Sequence, residues 1–258
     1  MINTFSKFVY GIVITSSSKY LDFDEGAGEI STSLRVGHYT LATLASEIQA
    51  RMNEVGTQGY TVTVNRTTNK LNISAGSAWT LLASSGTNAA DGCYAAAGFA
   101  LSDTSSATSH TADSSIGSTY YPQYKLQDYV SGNDNQSLRN ESIMTSASGR
   151  VEVVSFGTDK IYEFNIKFAT DIMQPPSGPI TSNSSGVSNL RTFMEYCMNK
   201  YEIEFYPNKN DVSEYYRVVL NSSASDGKGA GFKLEEQFTR GLVGYYETGL
   251  LKFRVIEE

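Results

Sequence analysis

Hydrophobic and polar positions along the chain change period several times, and each change marks an element. Phe8, Val9, Ile12, Val13 and Ile14, set around Gly11, predict a strand over residues 8–15. Leu21–Phe23 predicts a second. After the turn signal at 25–28, Ile30, Thr32, Leu34 and Val36 alternate through Glu29–Val36 as a third. The period then lengthens. Leu41, Leu44, Ala45, Ile48, Met52 and Val55 recur at helical spacing, while Glu47, Gln49, Arg51 and Glu54 fill other positions. Thr40 is placed to cap this helix and Gly56 to stop it.

Period two returns at Tyr60, Val62 and Val64, alternating with Thr61 and Thr63. Thr67–Lys70 supplies a turn, and Leu71 and Ile73 run back, predicting a hairpin. From Ser74 to Ser118 small residues dominate, anchored by Trp79, Leu81, Leu82, Phe99 and Leu101. A short strand near Thr80, a short helix near Tyr94–Ala97 and long loops are expected there. Residues 120–150 are polar and read as a crossover; part of it is expected to be a strand or a strap on a neighbour, because long bare loops are uncommon.

The remainder is strongly patterned. Val151–Gly157 predicts a strand, and Tyr162, Phe164, Ile166 and Phe168 alternate as a second, half-buried one. A Pro/Gly/Ser loop at 175–186 precedes a helix capped by Ser188 or Asn189, with Leu190, Phe193, Met194, Cys197, Met198 and Tyr201 on its apolar face. Strands follow at 202–207, 215–221 and 249–258. The fold class is therefore mainly β with a few helices (α+β): antiparallel, β-sandwich-like lobes, each with one packed helix. The expected division is an N-terminal β and helix–hairpin lobe with long loops (1–118), a crossover strap (119–150) and a β-sandwich lobe with one helix (151–258).

Composition narrows the function classes. Charged residues make up 18% of the 258, against about 25% in typical soluble domains. Tyrosine (17) and phenylalanine (12) are plentiful, which suits pleated sheets and subunit contacts. The clusters at 120–124, 204–207, 214–216 and 245–247 are candidates for either. A net charge of −7 argues against nucleic-acid binding. Cys93 and Cys197 lie far apart, so no disulfide framework is expected, and reduced thiols fit assembly in a cytoplasm. The apolar run Phe8–Ile14 lacks the flanks of a signal peptide, and no stretch is long enough to span a membrane.

The search for chemistry leaves no expected catalytic, cofactor-binding or metal-binding residue. His38 and His110 have no companion at ligand spacing and read as surface polar residues. Ser84–Ser85–Gly86 is an ordinary turn, not a nucleophile elbow. Asp22, Asp24 and Glu25, like Glu235 and Glu236, could form acid–base pairs but read as solvated turn charges, without the ladder of a calcium loop. The glycine-rich 226–231 is not a phosphate loop. Trp79 and surface tyrosines would suit a module binding host carbohydrate; a lone Trp is more often core.

Gly37, Tyr39, Thr40, Leu44, Ala45, Ile48, Met52, Asn53, Tyr60, Val62, Lys70, Leu71 and Ile73 together resemble a helix–hairpin module of tailed-bacteriophage virion structural proteins. The resemblance covers roughly residues 8–115, including the small-residue turn leading to Gly98–Phe99. The C-terminal lobe is similar in pattern to the tail-tube-like fold of phage tail proteins, although in distal tail proteins that lobe comes first. The resemblance implies a non-enzymatic subunit of a distal tail or baseplate ring, linking tail tube to tail tip. The implied partners are copies of itself in a ring, expected to be a hexamer, and other tail proteins (tube, tip or hub). The implied location is the virion tail, assembled in the host cytoplasm. Another virion position (tail tube, neck or capsid decoration) is the alternative.

Overall fold

The computed structural model describes residues 2–3, 6–122, 124–125, 136–145, 151–170, 187–221, 235–239 and 242–257. The fold is mainly β: the described residues form several antiparallel sheets and two helices, as the alternating patterns predict. The chain divides into two compact units, Val9–Thr119 and Met1–Phe8 with Tyr120–Glu258.

The chain starts with β1 (Ile2–Asn3), β2 (Lys7–Tyr10) and β3 (Ile12–Ile14). The strand expected over 8–15 is thus two strands. Gly11 between them has φ +79°, a left-handed conformation that glycine adopts without a Cβ clash. The break lets the chain leave one sheet and enter another.

In the unit Val9–Thr119, β4 (Tyr20–Asp24) and β5 (Glu29–Ser33) form a hairpin, and β6 (Gly37–Tyr39) pairs with β3. Helix α1 spans Leu41–Val55. Thr40 is its N-cap, and Thr43 completes a capping box with it, which satisfies amides the first turn leaves unpaired. Gly56 ends the helix, with its N–H on Met52 O at 2.8 Å. Leu41, Leu44, Ala45, Ile48 and Met52 are buried; Val55 is not.

The hairpin β7 (Tyr60–Asn65) and β8 (Lys70–Leu81) follows, and the sheet runs β5-β4-β8-β7. Here the small-residue segment departs from expectation. The strand near Thr80 is the end of the twelve-residue β8, and β9 (Ala107–Thr111) pairs with β8 where a loop was expected. Near Tyr94–Ala97 there is a single closed turn instead of a helix, because Gly98 at φ +82° turns the chain away. A 3-10 turn at Ala89–Asp91 precedes it. Trp79 stands edge-on to Tyr60 and His110, with ring centroids at 5.2 and 4.4 Å, inside the core of this unit.

Among the described residues the second unit holds an eight-stranded sheet. Its strands are β2, β10 (Ser118–Tyr120), β12 (Gln136–Thr145), β13 (Val151–Thr170), β14 (Ile203–Tyr206), β15 (Tyr216–Leu220), β16 (Glu235–Thr239) and β17 (Leu242–Glu257). The order is β10-β2-β14-β15-β17-β13-β12, with β16 on β17; a separate two-stranded sheet pairs β1 with β11 (Tyr124–Lys125). The two strands expected at 151–157 and 162–168 are one. Gly157 does not end it, because it falls at a bulge: Arg139 faces Thr158 and Glu141 faces Ser155, leaving an extra residue on β13.

Helix α2 (Val187–Met198) buries Leu190, Phe193, Met194 and Cys197. Phe8 lies among Phe193, Phe205 and Phe253, at centroid distances of 4.9, 4.8 and 5.2 Å. Tyr120 stacks on Phe193 at 4.6 Å. These contacts explain why the units differ from the expected 1–118, 119–150 and 151–258. Phe8 is core to a sheet whose other strands come more than a hundred residues later. Within 119–150, part of the crossover is a strand, as expected: β12 is hydrogen-bonded to β13 in the second unit, and 126–135 and 146–150 lie outside the described residues. The loop expected at 175–186 lies outside the described residues.

Candidate functional site

Three of the carboxylates considered for acid–base chemistry, Asp22, Asp24 and Glu25, each hold a loop by accepting its amides. Asp22 is fully buried in β4, not solvated at a turn. Its Oδ1 accepts from Ser31 Oγ at 2.5 Å and its Oδ2 from the Asn88 amide at 2.7 Å. Asp24 Oδ1 accepts from the amides of Gly26 and Gly28 at 2.6 and 3.0 Å. Glu25 accepts from the amides of Thr57 and Gln58, from the Thr57 hydroxyl and from Tyr60 OH at 2.8 Å. Burial works against ionised Glu25, but the hydrogen bonds from Thr57, Tyr60 and Gln58 outweigh it and hold the carboxyl below the usual glutamate range. Burial, with the same carboxylate, pushes the Tyr60 phenol well up.

Two more carboxylates repeat the arrangement without having been singled out from sequence. Glu29 accepts from Thr87 N at 2.7 Å and Thr87 Oγ1 at 2.9 Å. Asp103 accepts from Ser84 N, Ser84 Oγ and Ser85 N at 2.7, 3.0 and 3.1 Å. Hydrogen bonds from Ser85 and Ser84 hold Asp103 down at about 2. Ser84 and Ser85 are thus donors to a structural clamp. Acidic residues hold long loops in place by accepting backbone amides, a role that an Asp or Glu before a distant Ser or Thr does not signal in sequence.

The histidines separate. His38, in β6, is partly desolvated, which lowers its pKa. His110 corrects the surface reading: it is 7% exposed, with Nε2 3.0 Å from Trp79 O. Trp79 is 1% exposed, so it cannot stack on a carbohydrate in this fold. Cys93 and Cys197 are buried free thiols; burial pushes Cys93 up to about 12 and Cys197 well up too. Glu235 and Glu236 open β16, and 226–231 lies outside the described residues. Among the described residues no group of three or more His, Cys, Asp or Glu could hold a metal ion, and no helix is long and apolar enough to cross a membrane.

Two features remain with a bearing on function. The first is the pair of edges of the eight-stranded sheet. Among the described residues it ends in β10 on one side and in the ten-residue β12 on the other. By contrast, the outer edge of β7 is closed by side chains of α1. Asn53 accepts from Tyr60 N at 2.6 Å and donates to Tyr60 O at 3.0 Å, and Gln49 accepts from Val62 N at 2.9 Å. Near the sheet centre, Tyr206 OH donates to the buried Glu204 at 2.6 Å and Lys7 Nζ lies 4.4 Å above the Tyr206 ring. The second feature is an open groove of about 580 Å³ lined by Thr63, Val64, Asn65, Thr68, Lys70, Asn72 and Thr111.

Of the tyrosine clusters, Tyr120, Phe205 and Tyr206 are core, while Tyr121, Tyr215 and Tyr216 are half-exposed. No protein-family model matches the chain, and no curated protein matches it significantly.

Proposed function

We propose that the chain is a non-enzymatic structural subunit of a phage tail, a ring-forming distal tail or baseplate component joining tail tube to tail tip. The observation that carries this reading is the eight-stranded sheet with two unlike edges, β10 and β12. Unlike edges can meet head to tail, the heterologous contact from which closed rings are built. Strand addition at such an edge gives main-chain hydrogen bonds to a neighbour. β2 adds a second support: the sheet-forming lobe receives the N-terminal strand, so it begins before the other lobe in the chain, as in distal tail proteins.

On this reading the partners are copies of the chain, in a ring taken to be a hexamer, and neighbouring tail proteins. The carboxylates serve the fold, no cofactor takes part, and the virion tail is the location. The same sheet would serve a tail tube, neck or decoration position. Electron microscopy of the purified chain, and of virions carrying it with a label, tests the proposal. Rings and a labelled tail tip are expected; a chain monomeric at every concentration and missing from virions sinks it.

A further inference from the structure

The β7–β8 hairpin has a charge opposite to that of the chain around it. No acidic residue occurs between Glu54 and Asp91, and that stretch holds Arg66 and Lys70, in a chain of net charge −7. Register puts Thr63 opposite Asn72, Asn72 opposite Thr111, and Asn65 opposite Lys70. These side chains alternate with buried Val62, Leu71, Ile73 and His110, so they share the outward face of three strands. With Thr68 they form the wall of the 580 Å³ groove.

The hydrogen-bond inventory of this wall is one-sided. Asn65 Oδ1 already accepts from the amides of Thr67 and Thr68, both at 3.1 Å. Asn72 Oδ1 already accepts from the hydroxyls of Ser109 and Thr111, both at 2.8 Å. Backbone amides can only donate, so the Asn65 side chain is fixed with its NH2, a donor group, left over; the Asn72 NH2 is left over as well. Lys70 Nζ gives one hydrogen to Asp113 O at 2.6 Å and keeps two. The Asp113 carboxylate itself is used by Ala100 N at 2.8 Å. The groove therefore presents donors and positive charge, while both amide oxygens already have partners. A complementary ligand brings acceptors and negative charge.

We propose that this groove binds the anionic group of a small hydroxyl-bearing molecule, a sugar acid or sugar phosphate. Lys70 and the amides of Asn65 and Asn72 hold the anion. The hydroxyls of Thr63 and Thr68, which donate or accept as needed, take the hydroxyl-bearing body. A bare anion would leave most of the groove empty. This site is independent of the assembly role.

Calorimetric titration of the full chain tests it, with glucuronate, glucose 6-phosphate, glucose and inorganic phosphate as probes. Saturable binding of glucuronate or glucose 6-phosphate is expected, weakening as salt is raised; the two arms show which anion is taken. Lys70→Gln should weaken it about tenfold, the loss of one charge-assisted hydrogen bond. Thr63→Val should weaken the sugar probes several-fold, and melting curves check that both variants fold. No saturable binding, equal affinity for glucose, or unchanged affinity in Lys70→Gln would overturn the proposal. Inorganic phosphate binding as tightly as glucose 6-phosphate would overturn the sugar part of it.

Discussion

The two units solve the problem of sheet edges in opposite ways. In Val9–Thr119 the edge of β7 is closed from within by Asn53 and Gln49, and the long loops are clamped by Asp22, Asp24, Glu25, Glu29 and Asp103. In the other unit, among the described residues, the sheet runs from β10 to the ten-residue β12, and β16 pairs with β17 alone. Unpaired edges invite pairing with other chains, and proteins that stay apart usually block them. The difference is one of capping: side chains of α1 cover the outer backbone of β7 at Tyr60 and Val62, and on the proposed function β12 is the edge that a neighbour would extend.

The contrast can be broken first at Phe8. Phe8→Ala removes a ring buried among three others and should cost the second unit about 3–5 kcal/mol. Calorimetry should show one transition lowered and that of Val9–Thr119 unmoved; a shift of both equally would contradict the division into units. Uncapping comes next. Asn53→Ala leaves the Tyr60 backbone without partners and should cost about 1–3 kcal/mol. It should also raise self-association through β7, measured by light scattering against the parent chain. Conversely, Asn140→Pro places proline on β12 opposite the bulge of β13. It should leave the fold intact and reduce ring assembly, read by analytical ultracentrifugation.

Acid should act unequally too. Asp103 sits at about 2 in the folded chain against an ordinary 3.8. A carboxyl with a lowered folded pKa stabilises above its unfolded value, and that stability is lost as pH falls through the folded one. Melting of Val9–Thr119 should therefore drop between about pH 4 and 2, and Asp103→Asn should flatten this limb. The smallest expected effect is at the helix cap, where Thr40→Ala should cost about 1 kcal/mol in urea titrations of the same unit.

What the residue pattern reveals is local. The register of α1, its cap at Thr40 and the hairpin after it follow from spacing alone, because apolar period and turn chemistry agree there. The outward polar face of that hairpin was visible in the alternation of Thr61 and Thr63 with Val62 and Val64. Thr111 was not, since it reaches the groove only through the pairing of β9 with β8. Asp22 and His110 look like surface residues because their burial depends on distant partners, Asn88 and Trp79. Gly157 looks like a strand end because a bulge and a turn use the same residue.

The placement of β2 also sets a timetable. During synthesis Phe8 emerges early, whereas β14, its neighbour in the sheet, is made about 190 residues later, roughly 10–40 s at ribosomal speed. Val9–Thr119 can fold in that interval, tethered to a strand that has only β10 beside it. The nascent chain thus carries an exposed apolar strand for most of its synthesis, and pulse-labelling of stalled chains should find Lys7–Tyr10 unprotected until β14 and β15 have cleared the exit tunnel.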